Sequence, residues 1–254
     1  MLDGLVKNLS KWKGNPRKWD VPFISGVVSR RYHAATSRRR LLQPPIDTNN
    51  VEILSDKDFC RSVAQVRDHT ILDVARLANL WSLAKRAGPG VFLEVGSFRG
   101  GSALHICNAV DDRMSAFYCF DPFETGGFEK ITGSDKLFRS DDFRETAYET
   151  VQKLLAGKPN AKVVQGFFPA AAEGLDLRNI AFCHLDVDVY KATKSSLEYL
   201  SCRLAPRSMI VLDDVNRRVE GVDVALTEFL ADHPCFLLVP MFPSQGLLLS
   251  KALW

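Results

Sequence analysis

The chain of 254 residues, 46% hydrophobic with a formal charge of +3, is long enough for one large α/β domain plus an appendage. No run approaches the roughly 20 uninterrupted apolar residues that span a bilayer, and the opening MLDGLVKNLSKWKG has lysines and a tryptophan where a signal peptide needs an apolar core, so a cytoplasmic protein is expected. Six cysteines, at 60, 107, 119, 183, 202 and 235, stand far apart without a C-x-x-C pair and read as reduced, packed thiols, which argues against a zinc site or a disulfide framework.

The charge is unevenly spread. Residues 1–45 hold ten Lys or Arg against Asp3 and Asp20; taken from totals of 33 and 30, this leaves 23 basic and 28 acidic residues for 46–254. The segment QPPIDTNN, residues 43–50, breaks regular structure cheaply, so the chain divides into a basic arm, 1–45, and a domain, 46–254. In the arm, Leu2, Leu5, Val6, Leu9 and Trp12 share a helical face beside Lys7 and Lys11. Such a face suits peripheral membrane contact. The preferred reading is packing on the body or on another subunit, and a homo-oligomer is expected. No nucleic-acid partner is expected, because no aromatic platform or groove-reading motif accompanies the arginines.

Beyond residue 50 helices and strands alternate. TILDVARLANLWSLAKRA, 70–87, repeats apolar residues at Ile71, Val74, Leu77, Leu80, Trp81 and Ala84 and predicts a helix ended by Gly88-Pro89-Gly90. A strand VFLEV leads into GSFRGGSALHICNAV, a glycine turn opening a helix. SAFYCF forms a second strand ending at Asp121; a helical stretch spans 141–156; AKVVQG is a third strand and IAFCHLDVD a fourth. KATKSSLEYLSCRL is the next helix, joined through Ala205-Pro206 to a fifth strand, SMIVLDD, and then to the helix VDVALTEFLADH. CFLLVPMFPSQGLLLSK reads as two strands around a turn. The pattern predicts an α/β, Rossmann-like fold: a mostly parallel seven-stranded sheet, helices on both faces, and a C-terminal antiparallel hairpin.

Ligands of such sheets bind beyond the C-terminal strand ends. Glu94, Asp121, Asp186, Asp188, Asp213 and Asp214 all fall at or just after predicted strand ends, so distant positions converge on one rim. In LEVGSFRGGS, Gly96, Gly100 and Gly101 leave room for a ligand against the backbone, where helical N–H groups can hold a carboxylate. The spacing is not the G-x-G-x-x-G of dinucleotide folds. A ligand with an amino-acid end, met by Ser102 and the turn, and a ribose, met by Asp121, accounts for the set; S-adenosylmethionine has that shape. A glycine-rich turn without a ligand is the plain alternative.

The run 92–102 with FRGGS, FDPFE at 120–124, HLDVDVYKATKSSLEYL at 184–200 and LAPRSMIVLDDV at 204–215 resemble the macrocin O-methyltransferase family, itself similar to catechol-type O-methyltransferases around E-x-G-x-x-x-G-x-S. The resemblance covers roughly residues 60–251. It implies a class I methyltransferase fold, S-adenosylmethionine bound by Glu94, Gly96, Ser97, Phe98, Gly100, Ser102, Asp121, Gly166 and Asp186, and a sugar hydroxyl on a small-molecule acceptor. It also implies magnesium on Asp186, Asp213 and Asp214, with Asp186 as the base. Pro122, the Glu-Thr-Gly-Gly run after it and Val215-Asn216-Arg217-Arg218 depart from the family pattern.

A hard dication with oxygen ligands at about 2.1 Å would neutralise carboxylates that otherwise repel one another. Asp188, two positions beyond Asp186, would share its side of an extended strand and hold a water or orient a ligand, or would cap the helix near Lys191; both readings stand. A metal-independent methyltransferase and a noncatalytic S-adenosylmethionine-binding protein are the alternatives to the metal-assisted enzyme.

Overall fold

The computed structural model describes residues 51–110, 114–128, 131–139, 142–143, 145–215 and 219–251. The basic arm and its apolar face lie outside the described residues. A short helix, α1 (Val51–Ser55), precedes α2 (Lys57–Val66), which the sequence reading did not anticipate. The Asp56 side chain caps α2 by accepting from the Asp58 and Phe59 N–H groups, and Phe59, Val63 and Val66 form its buried face.

Helix α3 (Val74–Ala84) is shorter than the stretch 70–87, because Asp73 caps it by accepting from the Arg76 N–H. Ile71 therefore leaves the helix and is 64% exposed. Then follow β1 (Gly90–Val95), α4 (Gly101–Ala109), β2 (Met114–Asp121), α5 (Tyr148–Leu155) and β3 (Ala161–Gln165). Only the last part of the expected helix 141–156 is helical. The second half contains β4 (Ile180–Leu185), α6 (Tyr190–Ser201), β5 (Leu204–Leu212), α7 (Glu220–Asp232), β6 (Phe236–Met241) and β7 (Gln245–Ser250). Strand β5 begins earlier than the expected residue 208; its register against β4 is broken between Ile180 and Phe182, and this irregular stretch accommodates Pro206.

The seven strands run in the order β3-β2-β1-β4-β5-β7-β6; the first five are parallel and β7 is antiparallel to both neighbours. This is the expected Rossmann-like sheet with its C-terminal hairpin. Side-chain alternation sends Phe92, Phe117 and Phe182 to one face, against Phe59, Trp81 and Ile106, and Leu93, Phe120 and Ile210 to the other, against Leu197 and Phe229. With both faces covered, every residue of β1 and β4 is buried, and hence their near-continuous apolar sequences. The six cysteines are free thiols.

The chain leaves β1 toward β2 and β3, then returns to β4 on the other side of β1, so a switch point opens between β1 and β4. At their carboxyl ends the Asp186 N–H donates to the Val95 carbonyl at 2.9 Å. Gly96, with φ of 88°, follows at once, and a Cβ there would lie 1.8 Å from the Asp186 carbonyl oxygen. Gly96→Ala therefore combines a left-handed backbone with a clash against main chain, and the backbone conformation alone costs roughly 1–3 kcal/mol. Urea unfolding should show a midpoint well below that of the parent; an unchanged midpoint would mean that the junction yields freely.

Candidate active site

One cavity opens at this switch point. Of the residues singled out from sequence, Gly96, Ser97, Phe98, Ser102, Asp121, Gly166, Asp186, Asp188 and Asp214 line it; Glu94, Gly100 and Asp213 do not. The side expected from sequence to take the cofactor is built on the turn after β1. The Phe98 N–H donates to Asp121 Oδ2 at 2.8 Å, and the Phe123 N–H donates to Oδ1 at 2.7 Å. Burial pushes the Asp121 carboxyl up to about 6, against these backbone hydrogen bonds. Gly100, in the left-handed region at φ 76°, packs against Val151 instead of facing the cavity. The Gly101 N–H, expected to meet a ligand carboxylate, already donates to the His69 carbonyl at 3.0 Å, and Ser102 remains at the cavity wall.

Behind the cavity lies a buried row of alternating charge. Glu94, 0% exposed, meets His184 Nδ1 at 2.8 Å through Oε1, so it faces the sheet interior and not the cofactor cavity. His184 Nε2 stands 3.5 Å from Asp213 Oδ2, an ion-pair distance beyond a well-formed hydrogen bond. The Arg76 guanidinium donates to Asp213 Oδ1 at 2.9 Å and to Asp73 Oδ2 at 3.2 Å, and lies 3.5 Å from Asp214 Oδ1. Gln245 Nε2 reaches Asp213 Oδ2 at 3.3 Å. Burial opposes ionisation of His184, yet Asp213 and Glu94 pull it up to about 10; burial likewise opposes the Asp213 charge, but His184 and Arg76 hold that carboxyl down to about 2.

In front of this row, Asp186, Asp188 and Asp214 each offer a carboxylate oxygen to one group whose atoms lie within 4.8 Å of one another. Burial, with repulsion from the neighbouring aspartates, raises Asp186 and Asp188 well above the usual carboxylate range. Strand β4 ends at Leu185, so Asp188 does not share a face with Asp186 through the pleat; it joins the cluster because its backbone turns left-handed, with φ of 61°. Nor does it cap α6, whose N-cap residue is Val189. Asp214 has the same left-handed turn, φ 58°, after β5. Aspartate tolerates this conformation better than most side chains. A second group, His184, Asp186 and Asp213, also has metal-ligand spacing, but its His184 is engaged by Glu94 and its Asp213 by Arg76.

Phe98, Phe128, Phe138 and Phe143 make an aromatic wall along the cavity. Phe98 was singled out from sequence, but Phe128, Phe138, Phe143 and Arg76 were not. Arg76 lay inside a helix read only for its apolar face, and its partner Asp213 is 137 positions away.

Residues 93–215 match the family described as a methyltransferase domain. A comparison with curated proteins finds no match. Among solved structures, the chain is similar to the O-methyltransferase NovP at TM-score 0.62 and 20% identity, over 70% of this chain and 81% of that one. CalS11, the calicheamicin methyltransferase, is similar at TM-score 0.56 and 18% identity, over 90% and 93%. The O-methyltransferase from Bacillus cereus in complex with SAH is similar at 0.54 and 14%, over 80% and 94%. At these identities the likeness shows the fold. Fold and domain match together define the class, an S-adenosylmethionine-dependent methyltransferase on the Rossmann-like class I sheet.

Two outcomes follow from this geometry. Arg76→Ala leaves buried Asp213 with His184 as its remaining cationic partner, a loss of roughly 3–5 kcal/mol that denaturant unfolding should read; a loss below about 1 kcal/mol, within the range of an exposed pair, would refute the buried row. If Asp121 holds a ribose it does so best when ionised, so S-adenosylmethionine affinity should be flat well above pH 6 and fall as pH drops through about 6. Calorimetry from pH 5 to 8 checks this. Asp121→Asn should bind more weakly, by roughly 1.5–3 kcal/mol, and without that inflection.

Proposed function

We propose that the chain is a macrocin-type O-methyltransferase that moves the methyl group of S-adenosylmethionine to a sugar hydroxyl of a glycosylated small molecule. The observation that carries this reading is the cluster of Asp186, Asp188 and Asp214 at the same cavity as the glycine turn and Asp121. The names of NovP, an O-methyltransferase, and CalS11, a calicheamicin methyltransferase, are in keeping with it. The phenylalanine wall beside the carboxylates suits an acceptor with an apolar part next to its sugar.

The donor set fits magnesium: three carboxylates, all oxygen, in one group, with two of them strained by unneutralised charge. Asp186, Asp188 and Asp214 would hold the ion, and Asp213, fixed by Arg76, would orient them from behind. When bound, magnesium supplies Lewis acidity that lowers the pKa of the acceptor hydroxyl. Asp186 takes the hydroxyl proton on a carboxylate oxygen. Asp121 and the Gly96–Ser102 turn orient the methyl donor, and the phenylalanines keep water from the reacting atoms. The sulfonium methyl is already activated, so alignment and proton removal are the protein's share.

Arg76 favours a second reading. Its guanidinium, 3.5 Å from Asp214, already brings positive charge to the cluster, as a metal-independent enzyme would require.

Incubation of labelled S-adenosylmethionine with a panel of glycosylated acceptors, across a magnesium titration and with chelator, separates the two. Asp186→Asn should lose roughly 10²–10⁴-fold in turnover while donor affinity changes far less. Asp214→Asn should recover part of its lost rate at raised magnesium, because mass action refills a weakened ligand set but does not replace a base. If the parent ignores chelator and metal alike, the metal-assisted route is wrong; if Asp186→Asn turns over normally, Asp186 is not the base.

A further inference from the structure

Asp135 lies in the segment between β2 and α5, with no part in the carboxylate cluster, and is only 1% exposed. Its Oδ2 accepts from the Thr132 N–H at 2.7 Å and from the Thr132 hydroxyl at 2.6 Å; its Oδ1 accepts from the Tyr190 N–H at 2.8 Å. Tyr190 opens α6, whose own N-cap residue, Val189, makes no side-chain cap. Asp135 thus caps a helix that starts 55 positions later, where a negative charge is favoured. Gly221 of α7 closes the far side, since a Cβ there would lie 1.9 Å from Asp135 Oδ1. On the near side the Phe138 N–H donates to the Asp135 carbonyl at 3.1 Å, so the anchored aspartate carries the turn that presents Phe138. The ring of Phe138 packs on Phe128 at 5.2 Å, Phe128 on Phe143 at 5.9 Å, and Phe143 on Phe98 at 5.5 Å, all at the cavity.

We propose that Asp135 is a positioning residue for methyl transfer: clasped between Tyr190 and Gly221, it holds the Phe128–Phe138–Phe143 wall over the cavity and so sets how long the methyl donor stays bound. The carboxylate end of the cavity and the anchor share one piece of backbone, because Tyr190 comes two residues after Asp188. The wall is therefore fixed relative to the cluster through main chain, independently of any ligand. The proposal rests on the reading of the cavity as the methyl-donor site.

The test uses the full chain and measures release of labelled S-adenosylmethionine on addition of excess S-adenosylhomocysteine, with association followed separately. Asp135→Ala should speed dissociation at least about tenfold while association stays within about threefold. Asp135→Asn should fall between, since it keeps one acceptor oxygen. Alanine is the better helix former, so Gly221→Ala would stabilise an unconstrained helix; here it should speed release as Asp135→Ala does. The double variant should release faster than Asp135→Ala by less than the full Gly221→Ala effect, because loss of the carboxylate removes the 1.9 Å clash while the new methyl still meets the Tyr190 N at 2.8 Å. Additive effects, or an unchanged release rate in folded Asp135→Ala and Gly221→Ala, would overturn the proposal. Hydrogen exchange decides separately from donor binding: Asp135→Ala should deprotect residues 131–139 and the Tyr190 amide while β1 and β4 stay protected. Should the parent bind no S-adenosylmethionine, the methyl-donor reading fails and the proposed control of residence fails with it. Unchanged exchange at those sites would instead remove the anchor while leaving the donor site standing.

Discussion

A carboxylate taken out of water must find a positive partner or give up its charge, and the carboxyl rim of this sheet is organised around that demand. Glu94, His184, Asp213, Arg76 and Asp73 alternate in sign from the carboxyl end of β1 outward to the cap of α3. His184 serves two anions and Arg76 three, so removing one member leaves its neighbours short of charge. The row also fixes the turn after β5: the Asp214 N–H donates to Asp213 Oδ1 at 3.0 Å while Arg76 holds that same oxygen. The rim therefore has a neutralised back row and a front row, Asp186, Asp188 and Asp214, with far less positive charge than negative. That imbalance faces the cavity, and it is where a cation or a proton acceptor gains most from being.

Much of this could be read along the chain because it is local. The alternation of apolar strands with amphipathic helices specified the sheet, and both-face burial explains why β1 and β4 read as unbroken apolar runs. The aspartates converged because parallel topology brings strand ends together whatever their separation in sequence. What local pattern could not carry is which carboxylate faces which way. Asp213 and Asp214 are neighbours, and only the left-handed backbone of Asp214 and the distant Arg76 send one to the cavity and the other behind it. Asp188 is the reverse case: pleat arithmetic would align it with Asp186, but β4 has ended, and a left-handed turn brings it to the cluster by another path.

Helix boundaries failed for a related reason. Ile71 fits the apolar period of α3, yet Asp73 competes for the Arg76 N–H and the helix starts at Val74 instead of the expected residue 70. The period was correct and the cap overrode it. Residues 70–72, freed from the helix, then line the cavity beside His69, whose carbonyl occupies the Gly101 N–H. In the same way Phe128 and Phe138 have no strand or helix period to announce them, and Phe143 falls in the part of the expected helix 141–156 that precedes α5. Their placement depends on Asp135, whose partner in α6 lies 55 positions away.

The two halves of the site are tied together at the backbone, and this has a consequence for how its specificity can change. The turn that would hold the donor begins at Gly96, whose missing side chain admits the Asp186 carbonyl; the Asp186 N–H is in turn bonded to Val95. Donor turn and carboxylate cluster thus share a junction made of main chain, which tolerates little displacement in an interior packed on both faces. Alignment between a methyl donor and the carboxylates is accordingly a property of the sheet. Of the departures from the macrocin pattern, Pro122 and Gly127 of the run after it lie instead in the connection after β2, at the cavity wall. Substitutions there can reshape what the cavity accepts without moving the junction, because loops on a rigid sheet vary at little cost to the core. On this division, the proposed chemistry would rest on the strand ends and acceptor choice on the segment that follows β2.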